Sequence, residues 1–220
     1  MECFYVVTVL WIFSVCLHEF GHAWVAFRGG DFTVRDKGYL TFNPLKYAHP
    51  LYSFGLPMLF LVLGGIGLPG GAVYINDNLL RSKAWRTWVS LAGPAANLAL
   101  VVLIGLAFKS GLVEQDPKNL LSVSLAFLVQ LEISSVLLCL LPVPPLDGFR
   151  AIAPWLPEHI SEKALEWSNV GLFVVFLALW YVEPLNQLFW NIVFLGSDLM
   201  GLDPRLGWIG YREFRFWDRI

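Results

Sequence analysis

From Cys3 to Leu17 the chain carries no charged side chain; still inside the same apolar run it then reads His18-Glu19-Phe20-Gly21-His22, and Ala23 to Phe27 continue the run. This stretch limits the fold more than any other. A hydrocarbon core offers backbone groups no water, so an apolar segment of such length crosses it as a helix. Two more runs of spanning length follow, Trp88 to Phe108 and Leu120 to Leu141. Two shorter ones, Ser168 to Val182 and Leu185 to Gly201, are separated by Glu183-Pro184. Composition agrees: of 220 residues 57% are hydrophobic and 15% charged, where a soluble domain carries about 25% charge. The sequence predicts an all-α, multi-pass membrane protein embedded in the lipid bilayer, a single domain over 1–220.

Several classes are excluded early. A net charge of −2 gives no reason to invoke nucleic acid. Cys3, Cys16 and Cys139 show no CxxC spacing, so neither a disulfide framework nor a cysteine metal site is supported. The N-terminus has only Glu2 where a signal peptide would be basic, and no small-residue cleavage site precedes the histidines, so a removed signal peptide is not expected.

Residues four apart on a helix share a face, so His18 and His22 can offer ring nitrogens to one ion, with Glu19 close enough to reach a water on it. This is the HExxH arrangement of zinc peptidases. One buried histidine by itself is ordinarily a hydrogen-bonded core residue. Two with a glutamate at ligand spacing, where ionisable groups are costly and retained for function, predict a metal site.

A catalytic zinc wants a third protein ligand. His49, before a proline in a polar loop, and His159, beside Glu158, read as surface residues. Asp147 ends the run Pro142-Val143-Pro144-Pro145-Leu146, whose prolines force an extended backbone, and Gly148 permits a close approach. Taken alone, Asp147 reads first as an N-cap of a helix starting at Gly148 and second as a ligand.

Topology bears on the choice. His18 and His22 lie late in the first helix and Asp147 lies past the end of 120–141, so they can meet only if those helices run the same way. Helix 88–108 supplies the one crossing between them, and 51–68, broken by Pro57 and glycines, must then be re-entrant. Positive charge agrees: with a returning hairpin at 168–201, all basic residues but Lys109 and Lys118 fall on the side where the first helix ends.

HEFGH in the first helix, Ala92-Gly93-Pro94-Ala95-Ala96-Asn97 in a later one and PVPPLDG after the next resemble, over most of 1–155, the site-2 protease family of intramembrane metalloproteases (peptidase family M50). The resemblance implies a core of about five transmembrane helices plus a re-entrant segment with a short β element at Pro69 to Ile75, which would hold substrate in extended form. It implies one zinc per chain held by His18, His22 and Asp147, with Glu19 activating water. It also implies a substrate that is another membrane protein's transmembrane helix, cut in or near the bilayer by regulated intramembrane proteolysis, and a bacterial cell membrane as location. No PDZ or CBS module is expected. One position departs: Cys139 stands where the family's motif usually has asparagine. Two rival readings follow, a catalytically weak or inactive homologue serving as a membrane scaffold, and a zinc transporter.

Overall fold

The computed structural model describes residues 1–43, 46 and 73–219. His49, the expected re-entrant stretch 51–68 and Pro69 to Ala72 lie outside them. The described residues are helical, with no strand.

Helix α1 runs Glu2–Gly29. It ends where Gly30 adopts the left-handed conformation, φ 116°, and its N–H turns back to the last carbonyls. A one-turn α2, Thr33–Asp36, follows. Helix α3, Lys83–Lys109, begins before the expected Trp88 because the Ser82 hydroxyl caps the Trp85 N–H. Helix α4, Leu120–Cys139, is capped by Asn119, whose side chain accepts from Leu121 and Ser122.

Contacts fix the directions of these three helices. Cys3 lies beside Ser124, with 3.3 Å between Sγ and Oγ, and Cys3 and Val7 cluster with Phe127 and Leu131, so α1 and α4 start together and run parallel. His22 meets the carbonyl of Val89 early in α3, whereas Trp11 and Val15 pack with Val101, Ile104 and Phe108 late in it. Helix α3 is therefore antiparallel to α1, and the three-helix arrangement required by the histidine–aspartate pairing is present. The described residues flanking 47–72 both lie near the end of α1: Lys46 beside Gly38, and Val73 beside Glu19.

Beyond α4 the chain forms α5 (Asp147–Ile152), α6 (Glu158–Glu166), α7 (Ser168–Tyr181), α8 (Glu183–Leu199) and α9 (Pro204–Phe214). Among the described residues, α1, α3 and α4 are each long and apolar enough to cross a membrane; Glu158–Glu166 with Val170–Tyr181, bent by 67°, would make a fourth span. The described residues thus show three or four of the five expected spans. Helices α7 and α8 have 14 and 17 residues, below the roughly 20 that a hydrocarbon core requires.

The tail is also placed differently. Leu199 and Gly201 carbonyls accept from Lys109 and Gln115, at the end of the bundle away from the histidines. Helix α9 then lies against the start of α4, with Gly210 on the Val123 carbonyl and the Phe214 ring tilted against Phe4, centroids 5.1 Å apart. Arg205, Arg212 and Arg215 thus join Lys109 and Lys118 rather than the histidine side. The charge bias toward that side survives, but more weakly than a returning hairpin would make it.

Candidate active site

His18, Glu19 and His22 are buried on α1. His22 Nδ1 lies 2.6 Å from the Val89 carbonyl. A carbonyl can only accept, so Nδ1 carries the proton; in the neutral ring, the form that binds a metal, Nε2 then holds the lone pair. His22 Nε2 is 3.0 Å from His18 Nε2. Asp147 closes the set, Oδ2 at 3.3 Å from His18 Nε2 and Oδ1 at 3.6 Å from His22 Nε2.

Asp147 occupies the first turn of α5, and Leu146, not Asp147, takes the N-cap position. The expected cap role is therefore unfilled by Asp147, whose carboxylate turns to the histidines instead. Helix α5 is seated so closely that any Cβ on Gly148 would overlap the Leu140 carbonyl. Its far end is tied to α3 by Thr87 Oγ1, which donates to the Ala151 carbonyl at 2.7 Å and accepts from Trp155 Nε1 at 2.9 Å.

The donor set fits zinc. His18, His22 and Asp147 each offer one atom, all within 4.8 Å of one another, and they are the one such group among the described residues. Tetrahedral zinc with bonds of 2.0–2.1 Å has ligand-to-ligand edges of about 3.3 Å, and the observed edges of 3.0, 3.3 and 3.6 Å bracket that value. An unprotonated Nε2 facing a carboxylate oxygen also calls for something positive between them. The facing wall leaves room: a Cβ on Gly93 of α3 would land on both Nε2 atoms.

Glu19 does not join the ligand cluster. Its Oε2 accepts the Val73 N–H at 2.9 Å, and Glu19, both histidines, Asp147, Val73 and Ile75 line one cavity of about 530 Å3. Of the β element expected at Pro69 to Ile75, the described residues Val73 to Ile75 form no strand, nor does Asn76 after them. The backbone here bonds side chains rather than another strand: Val73 N–H to Glu19, the Tyr74 carbonyl to Lys37 Nζ at 3.2 Å, and Asn76 N–H to Asp31 at 2.8 Å. Cys139 is fully buried at the end of α4, within electrostatic reach of Asp147 and Glu19 but outside the ligand group. His159 lies on the exposed α6, apart from the site.

Sequence reasoning missed Gly93, the Val89 carbonyl, Thr87 and Asp31. Gly93 had a readable signal, a glycine beside proline inside a membrane helix, where small residues mark close approach. A backbone carbonyl has none.

No protein-family model matches the chain, and no solved structure matches it. Curated proteins do. It is 44% identical over 215 residues to "Putative zinc metalloprotease Rip2" of Mycobacterium tuberculosis (strain ATCC 25618 / H37Rv), a match covering 97% of this chain and 81% of that protein. The protein of the same name in Mycolicibacterium smegmatis is 43% identical over 218 residues, with the same coverage. "Putative zinc metalloprotease YwhC" of Bacillus subtilis (strain 168) is 32% identical over 195 residues, 85% of each chain. Similarity of this extent, along nearly the whole sequence, makes the chain a member of the site-2 protease family of membrane zinc metalloproteases.

Proposed function

We propose that the protein is an intramembrane zinc endopeptidase that cuts peptide bonds in or near the transmembrane helices of other membrane proteins. His18, His22 and Asp147 would hold one zinc per chain, and Glu19 would be the general base. The observation that carries this reading is the closed triangle of two Nε2 atoms and one carboxylate, with Glu19 on the wall of the same cavity. Zinc there supplies Lewis-acid activation of water and of the scissile carbonyl.

The residues of the chain divide the remaining work. The Val73 N–H occupies Glu19 Oε2, which leaves Oε1 to take the proton of the attacking water and pass it to the leaving amine. Lys37 and Asp31 hold the Tyr74 and Asn76 backbone on one side. Val73 and Ile75 line the cavity, so the backbone edge that Lys37 and Asp31 do not take would be open to it. An unwound substrate segment would pair with that edge through its main chain. A substrate helix must unwind first, since its carbonyls are locked in the helix ladder, and glycine or proline in it lowers that cost.

Cleavage by the purified protein in lipid vesicles tests the reading. A reporter with a glycine-containing transmembrane helix is expected to be cut within or beside that helix. A zinc chelator should abolish the cut and added zinc restore it. Cleavage that persists through chelation, or that falls only in the soluble part of the reporter, would contradict the proposal.

A further inference from the structure

A carboxylate just beyond α1 is fully buried, 0% exposed, and stands outside the metal-ligand group. Asp31 follows the left-handed Gly30. Its Oδ1 accepts the Thr33 N–H at 3.0 Å and the Thr33 hydroxyl at 2.6 Å, and its Oδ2 accepts the Asn76 N–H at 2.8 Å. All three donors are uncharged. A buried charge is costly unless its hydrogen bonds are complete, and here they use both oxygens. Asparagine has the same shape but one acceptor oxygen, so it would either set its NH2 against the Asn76 N–H or give up Thr33.

The far partner of this carboxylate explains why it matters. Asn76 is extended, with φ −93° and ψ 95°. Three residues earlier, the Val73 N–H bonds Glu19 Oε2. One short segment is therefore fastened at one end by Asp31 and at the other meets the carboxylate beside the two histidines. Lys37, the middle fastening at Tyr74, is a solvent-exposed amine on a flexible stem, so the rigid hold comes from Asp31.

We propose that Asp31 is a positioning residue of the active site: by gripping Asn76 it keeps 73–76 drawn along the cavity wall, with the Val73 N–H on Glu19 and the facing edge presented to the peptide. The catalytic consequence rests on the protease reading above; the anchoring does not. Wild type, Asp31→Asn and Thr33→Ala, each full length in lipid vesicles, are compared by amide exchange, zinc content and reporter cleavage. Thr33→Ala removes one bond to Oδ1 and leaves the grip on Asn76.

In Asp31→Asn, exchange of the 73–76 amides should quicken roughly ten- to a hundredfold, the scale of a lost hydrogen bond to a charged group. Exchange along α1 and zinc content should be unchanged. The kcat for the reporter should fall about tenfold or more, since small misplacements near the reacting atoms are costly. Thr33→Ala should stay within about threefold of wild type on every readout. Unchanged 73–76 exchange in Asp31→Asn, quickened exchange with wild-type kcat, or exchange quickened equally throughout α1 would each overturn the proposal. A wild type that cuts no reporter would instead reject the protease reading, leaving the exchange comparison to decide the anchor.

Discussion

Glu19→Gln is expected to retain zinc and to slow cleavage of a membrane-helix reporter roughly a hundred- to ten-thousandfold, the range lost with a general acid–base residue. Glutamine keeps the shape of the side chain, and its carbonyl can still accept the Val73 N–H that now binds Oε2. What it cannot do is hold a proton at the other position. Since Glu19 lies outside the ligand group, zinc affinity should not follow activity. The variant also separates the rivals. A zinc transporter has no need of a base beside the ion, so zinc flux into sealed vesicles would survive the change. A scaffold would show no activity to lose. Near-wild-type cleavage by Glu19→Gln would reject Glu19 as the base.

Gly93→Ala is expected to lose zinc and cleavage together while still folding. At this position the added methyl would fall on His18 Nε2 and His22 Nε2, the two atoms aimed at the metal. The overpacking costs about 1–3 kcal/mol, offset in part by the roughly 1 kcal/mol by which alanine is favoured over glycine in a helix interior. Zinc content below about a tenth of wild type in a protein that still folds is the expected result, because the overlap falls on the ligand atoms themselves. A Gly93→Ala protein holding a full complement of zinc would show that the histidines are not arranged as described.

How far the sequence led depends on what each residue contributes. The helix spans were legible because uncharged runs leave the chain little else to do in a bilayer. The histidine pair was legible because four-residue spacing converts directly into a shared face. Asp147 was ambiguous on its own, since a residue after a proline run and before glycine suits a cap as well as a ligand. Its position became readable through the requirement that α1 and α4 run parallel, which the Cys3–Ser124 contact bears out. The tail was misplaced because α7 and α8 were treated as a hairpin returning to one side. Side-chain bonds from Lys109 and Gln115 instead draw residues 199–203 to the opposite end. Of the expected β element, Pro69 to Ile75, only Val73 to Ile75 lie among the described residues, and their β-prone side chains gave no hint that a carboxylate and a lysine would take backbone groups there. Asp31 was illegible for the same reason: its partner is a backbone N–H 45 residues away in sequence.

The central claim is that two imidazoles of one helix and a carboxylate from a distant segment bind the same ion. Zinc-edge X-ray absorption of the purified protein measures this directly. The account predicts one zinc per chain in a shell of nitrogen and oxygen at about 2.0–2.1 Å, with loss of the ion in His18→Ala and Asp147→Asn. A sulfur neighbour at about 2.3 Å, which would bring in Cys139, or zinc retained in full by Asp147→Asn, would contradict it.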